Sequence, residues 1–110
     1  PLVRLKTYWR VLAKPTRPLS LMAHGVNGAG HPVAIGDALD VPIEGWALGD
    51  IIVQEHQLAL EPNVSLDQGE IRVGAYWLPG LEHLPALDRE GKPLPEDVIR
   101  LTNLDVETAP

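Results

Sequence analysis

The side chains able to act as bases or metal ligands near neutral pH are four histidines, His24, His31, His56 and His83, set among scattered carboxylates. The histidines show no H-x-H, H-E-x-x-H or H-x-x-E-H spacing, so no zinc motif is written into the chain. His24 and His31 flank an Asn27-Gly-Ala-Gly30 turn signal and could meet across it as a metal pair, against a default of hydrogen-bonded or surface histidines. Asp37, Asp40 and Glu44 share one connecting stretch where carboxylates and loop carbonyls could gather calcium, but without D-x-D-x-D regularity a solvated acidic loop is the simpler reading. A glycosidase-like carboxylate pair could be drawn from Asp50, Glu55, Glu70 and Glu82, and nothing in their spacing selects one. Ser20 and Ser65 are the only serines, and neither lies in G-x-S-x-G. No catalytic residue, metal site or cofactor is assigned, and the chain is not expected to be an enzyme in its own right.

Binding chemistry is better represented. Neighbouring residues of a strand point to opposite faces, so Tyr8-Trp9 and Tyr76-Trp77 should each send one ring inward and one outward. Tyr8 and Tyr76 would then be exposed flat rings suited to stacking on sugars, with Arg72 beside Tyr76 supplying donors for hydroxyls. This makes Tyr8, Tyr76 and Arg72 the candidate ligand-binding residues, for a glycan; the competing account is that the rings cover a sheet face or contact a larger parent protein. Lys6, Arg10, Lys14 and Arg17 form a locally basic cluster that reads as a solvated face or as a docking patch for an acidic partner.

The elements that must position these residues are short strands. Within 110 residues, 11 prolines and 10 glycines interrupt the chain too often for long helices. Alternation over residues 2–12 puts Val3, Leu5, Thr7, Trp9 and Val11 on one face and Arg4, Lys6, Tyr8 and Arg10 on the other. Two prolines break residues 14–18, and residues 18–26 resume a strand with either Leu19, Leu21 and Ala23 or Met22, His24 and Val26 inward. The Asn-Gly turn returns the chain through residues 31–36. A long connection over residues 37–49 should pack Trp46 across one end of the core. Further strands are expected over residues 50–60, 70–77, 82–87 and 98–107.

This pattern predicts one all-β domain spanning residues 1–110, a two-sheet antiparallel β-sandwich of seven or eight strands, immunoglobulin-like or jelly-roll. Its expected core is Val3, Leu5, Trp9, Leu21, Trp46, Ile51, Val53, Ile71, Val73, Leu101 and Val106. Without cysteine, disulfides and thiol chemistry are excluded, and a formal charge of −6 opposes docking on nucleic acid or anionic membranes. No apolar run approaches the ~20 residues of a membrane span, so direct membrane insertion is not expected. The start at Pro1-Leu2, without an initiator Met, suggests a piece excised from a longer polypeptide.

One combination of segments goes further. His24 to Ala34 (H-G-V-N-G-A-G-H-P-V-A), Asp37, Trp46 to Leu60 (W-A-L-G-D-I-I-V-Q-E-H-Q-L-A-L), Val73 to Tyr76 (V-G-A-Y) and Leu84-Pro85 together resemble a bacterial domain at the extracytoplasmic C-terminal end of multi-spanning membrane proteins. Those proteins resemble glycosyltransferases of the dolichyl-phosphate-mannose mannosyltransferase type. The resemblance covers about residues 8 to 106 and implies a β-sandwich accessory domain outside the membrane, partnered by the remainder of its parent; it implies no activity.

Overall fold

The computed structural model describes residues 2–102. Their strands are β1 (Leu2–Arg10), β2 (Leu19–Val26), β3 (Pro32–Ile35), β4 (Ile51–Ala59), β5 (Glu70–Trp77) and β6 (Ile99–Leu101), with short 3-10 turns at Ile43–Gly45 and Pro95–Asp97. β1 and β4 form a two-stranded antiparallel sheet, and β3-β2-β5-β6 form a four-stranded antiparallel one. The fold is all-β, and the described residues supply six strands where seven or eight were expected.

The missing regularity has a cause. Residues 82–87 do fold back on β5, through the Tyr76–His83 bridge and a 2.9 Å bond from the Leu84 N–H to the Ala75 carbonyl. Pro85 then has no N–H with which to continue a ladder, so no strand forms there. The last expected strand is present as Ile99–Leu101, while its continuation past residue 102, with Val106, lies outside the described residues.

β1 alternates as its pattern requires, with Val3, Leu5, Thr7 and Trp9 half-buried and Arg4, Lys6, Tyr8 and Arg10 exposed. Its register then dictates the orientation of β4, because side chains directly opposite each other in an antiparallel pair share a face. Val3 lies opposite Leu58, Leu5 opposite His56, Thr7 opposite Gln54 and Trp9 opposite Ile52. The buried face of β4 is therefore Ile52, Gln54, His56 and Leu58. Ile51 and Val53, expected in the core, face outward and are 49% and 46% exposed. Ile51, Ile52 and Val53 are all apolar, so β4 alone does not choose its inner face; the partner strand does.

Between the sheets, Leu21, Trp46, Ile52 and Ala75 pack with Trp9 at one end, and Ala34, Leu58, Leu66, Ile71 and Val73 pack with Val3, Leu5 and Leu101 at the other. Trp46 caps the first group as anticipated, and its Nε1–H donates to the Val41 carbonyl at 2.9 Å. β2 could not be oriented from its pattern because both its faces are covered. Leu19, Leu21 and Ala23 face the core, while Met22 pairs with Gly74 on the outer face and is buried as well. Asp97 and Val98 lie over Gly74, where an added Cβ would stand 3.1 Å from the Asp97 carbonyl oxygen. The chain thus folds over the outer face of its own four-stranded sheet.

The orientation of β4 has a direct energetic signature. Ile52→Ala should lower stability by about 2–5 kcal/mol, the range for truncating a buried isoleucine. Val53→Thr should stay within about 0.5 kcal/mol, as for an ordinary surface position. Urea unfolding of the two variants checks both values, and the reverse order would restore the apolar-face reading.

Candidate functional site

The polar residues that matter are placed by a hydrogen-bonded chain running through the core. The Trp9 Nε1–H donates to Thr7 Oγ1 at 2.7 Å, and Thr7 Oγ1 lies 2.9 Å from His56 Nε2. On its other side, His56 Nδ1 lies 2.7 Å from the Gly36 carbonyl. A carbonyl only accepts, so Nδ1 carries a proton and donates; in the neutral ring Nε2 is then bare and accepts from the Thr7 hydroxyl, which itself accepts from Trp9. Gly36 can approach this closely because it lacks a side chain: an added Cβ would lie 2.8 Å from the Gln57 carbonyl oxygen. Fully buried Gln54 makes a second attachment, accepting from the Asp40 N–H at 2.8 Å and donating to the Asp40 carboxylate at 3.0 Å.

These two attachments pin residues 36–40 against β4 and set Asp37 beside β2. The Gly36 N–H still bonds to the Ala23 carbonyl, but the Gly36 carbonyl points to His56. Asp37 fills the place this leaves in the ladder, its Oδ1 accepting from the Ala23 N–H at 3.0 Å. The carboxylate also takes His24 Nε2, 3.0 Å from Oδ1 and 3.2 Å from Oδ2, and the Tyr76 hydroxyl, 2.7 Å from Oδ2. The Tyr76 ring stacks on His83 with centroids 6.3 Å apart. Burial opposes ionisation of Asp37, yet the bonds from His24, Tyr76 and Ala23 outweigh it and hold the carboxyl below its ordinary value of 3.8. Burial raises the Tyr76 hydroxyl above 10.0, the neighbouring Asp37 adds to the rise, and a hydrogen bond with Ser20 works against it.

A second network lies on the same face. Arg72 reaches Glu70 at 3.3 Å and Glu96 at 3.7 Å, while Arg100 reaches the same two carboxylates at 2.9 and 3.2 Å. Arg72 and Arg100 are cross-strand neighbours, and the shared acids offset the repulsion between them.

The three sequence-predicted ligand residues are therefore not brought together. Arg72 and Tyr76 share the outer face of the four-stranded sheet, both half-buried, with the Arg72 guanidinium ion-paired and the Tyr76 hydroxyl and ring engaged. Tyr8 stands on the outer face of the other sheet, 66% exposed, across the core from them. His24 is held by Asp37 rather than by His31, and Asp37 and Asp40 serve β2 and Gln54 rather than a common cation. Among the described residues there is no group of three His, Asp or Glu side chains suited to one metal ion. Of the carboxylates considered for glycosidase chemistry, Glu70 is ion-paired, Glu82 pairs with Arg17 at 3.0 Å and Asp50 caps the Ala47 N–H.

Sequence reasoning missed Asp37 as a hub. The signal was present in the Asn27–Gly30 hairpin, which sets His24 opposite Ile35 and so brings an acid two residues later alongside β2. No helix among the described residues is long and apolar enough to cross a membrane. Compared with known proteins, the chain matches no family model, no curated protein and no solved structure.

Two titrations follow from the hub. The native Asp37 carboxyl ionises below 3.8, so its contribution to stability is complete above that pH and is lost as pH falls through the native value. Asp37→Asn should cost about 1–3 kcal/mol at neutral pH and flatten the acid limb of the stability profile. Acid denaturation of the two proteins compares the limbs; an unchanged limb would remove Asp37 as its source. Tyr76 behaves oppositely, its contribution being complete below 10.0 and lost as pH rises through the raised native value. In a Tyr8→Phe background, an ultraviolet phenolate titration should show the remaining tyrosine ionising above 10.0 and moving back toward it on adding Asp37→Asn.

Proposed function

We propose that this chain is a non-catalytic accessory or interaction domain of a larger membrane protein, placed on the extracytoplasmic side. The observation that carries the reading is the contrast between the outer faces of its sheets. On the four-stranded sheet, residues 78–98 fold over the surface and the arginines are paired with acids. On the two-stranded sheet nothing among the described residues lies over the outer face, which carries Tyr8 at 66%, Ile51 at 49%, Val53 at 46% and Leu2 at 48% exposure. Tyr8, Val53 and Ile51 are neighbours at one end of this face, beside Arg10 and Lys6, while Leu2 stands at the far end beyond Arg4; exposed apolar side chains grouped as the first three are, and rimmed by charge, mark a surface that meets a partner.

The extracytoplasmic setting and the membrane-bound parent rest on the resemblance to the mannosyltransferase-associated domains. An immunoglobulin-like or jelly-roll topology belongs to the same proposal. A carbohydrate-binding role is the second reading, favoured by the open ring of Tyr8. It loses the platform of three residues, because Tyr76 and Arg72 lie on the other face with their polar groups occupied.

Photo-crosslinking separates the two. With a photoreactive phenylalanine analogue in place of Tyr8, in the protein within its own membranes, a discrete protein adduct should form. The same analogue at exposed Glu90, in the turn of residues 88–91, should give none. No adduct from position 8, or equal adducts from both positions, would contradict an interaction role for the two-stranded sheet. Binding in a purified-glycan screen that disappears with Tyr8→Ala would favour the carbohydrate reading instead.

A further inference from the structure

Among the described residues β1 pairs only with β4, which leaves its other edge open. The Val11 N–H donates to the Asp50 carbonyl at 2.9 Å, extending the β1–β4 ladder and directing the odd-numbered residues of β1 toward β4. By the alternation of antiparallel pairing, the backbone N–H and C=O groups of Arg4, Lys6 and Tyr8 face the open edge. Beneath that edge runs a groove of about 310 Å³, lined by residues 5–9 of β1 and by Val73, Ile99 and Leu101. It separates β1 from β6, the edge strand of the other sheet among the described residues.

Charge selects the occupant. Arg4, Lys6 and Arg10 point outward beside the open edge; Glu55 stands opposite Lys6 on β4, the side away from that edge, but none of the three cations forms an ion pair among the described residues, in contrast to Arg72 and Arg100. A second copy of β1 laid antiparallel on the first would oppose Lys6 with Lys6, Lys6 with Arg10, or Arg4 with Arg10, depending on register. Like charges directly opposite destabilise a strand pair, so this edge resists self-pairing while remaining open to a strand of opposite sign.

We propose that the open edge of β1 accepts an extended strand from a partner protein in which acidic residues alternate with apolar ones. The strand completes the hydrogen bonds of Arg4, Lys6 and Tyr8. Its carboxylates lie beside Arg4, Lys6 and Arg10 on the outer face, and its apolar side chains, pointing the other way, enter the groove over Leu5, Trp9 and Ile99. This assignment rests on the interaction role proposed above and names the chemistry of the partner.

The probe is a short synthetic peptide of alternating glutamate and valine, titrated into the full 110-residue chain and followed by backbone amide NMR. Expected are shifts concentrated at Arg4, Lys6 and Tyr8, slowed exchange of their amides, and affinity weakened about ten-fold or more by the double charge reversal Arg4→Glu, Lys6→Glu. Both side chains are exposed, so an unchanged spectrum elsewhere shows that the variant folds. A lysine–valine peptide should not bind, and methylation of alternate peptide nitrogens should abolish binding while leaving every charge in place.

Equal binding by either control peptide, or no binding by the acidic one, overturns strand addition. A concentration-dependent dimer pairing through β1 overturns it in favour of a second copy. The chain also contains an acidic–apolar alternation of its own, Leu104-Asp-Val-Glu107. A gain in peptide affinity on Asp105→Lys, Glu107→Lys would give the edge to that segment and overturn the partner. If the peptide fails while the crosslink from position 8 persists, strand addition alone falls and the interaction role stands.

Discussion

The architecture turns on one buried ring. His56 sits in the inner face of the two-stranded sheet, yet its Nδ1 proton is spent on a backbone carbonyl at the end of β3, on the other sheet. Sheets in a sandwich are held mainly by apolar contact, which is non-directional and tolerates sliding. A hydrogen bond between a fixed ring and a fixed carbonyl does not. Its loss would leave the buried Gly36 carbonyl without a donor, costing about 1–3 kcal/mol for the unsatisfied group. Gln54 repeats the device two residues earlier on β4, and together the pair registers the sheets laterally.

The consequences spread outward. Because the Gly36 carbonyl turns inward, the Ala23 N–H needs another acceptor, and Asp37 is the side chain in reach. Once ionised there, its carboxylate collects His24 and Tyr76, and Tyr76 in turn supports His83 and the returning chain. The polar cluster that most resembles an active site is thus the outer end of a structural relay. Both carboxylate oxygens accept bonds from the protein itself. What is left open is the outer face of the other sheet, where Tyr8, Ile51 and Val53 remain exposed and Arg4, Lys6 and Arg10 form no ion pair among the described residues.

Much of this was legible in the chain, and the failures are instructive. Alternation identified β1 and its faces, the Asn-Gly turn placed the hairpin, and Trp46 was recognisable as the anchor of a connection without periodicity. The inner face of β4 is hidden from local pattern because it is half polar. Gln54 and His56 look like surface residues until Asp40, Gly36 and Thr7 are known to satisfy them, and those partners come from elsewhere in the sequence. Tyr8 and Tyr76 each read correctly as outward-facing. Whether two outward faces are the same face depends on which sheet each strand joins, and local patterning carries no information on that point. Asp37 was noticed for its charge and missed for its place, since its role follows from a carbonyl turned away one residue earlier.

The most direct test of the relay is the tautomer of His56, read from the nitrogen chemical shifts and couplings of its ring at neutral pH. The relay requires the proton on Nδ1, protected from exchange, with Nε2 bare and accepting from Thr7. A proton on Nε2 with Nδ1 bare would contradict it, because the Gly36 carbonyl would then have no donor and the displacement that brings Asp37 into the ladder would have no cause.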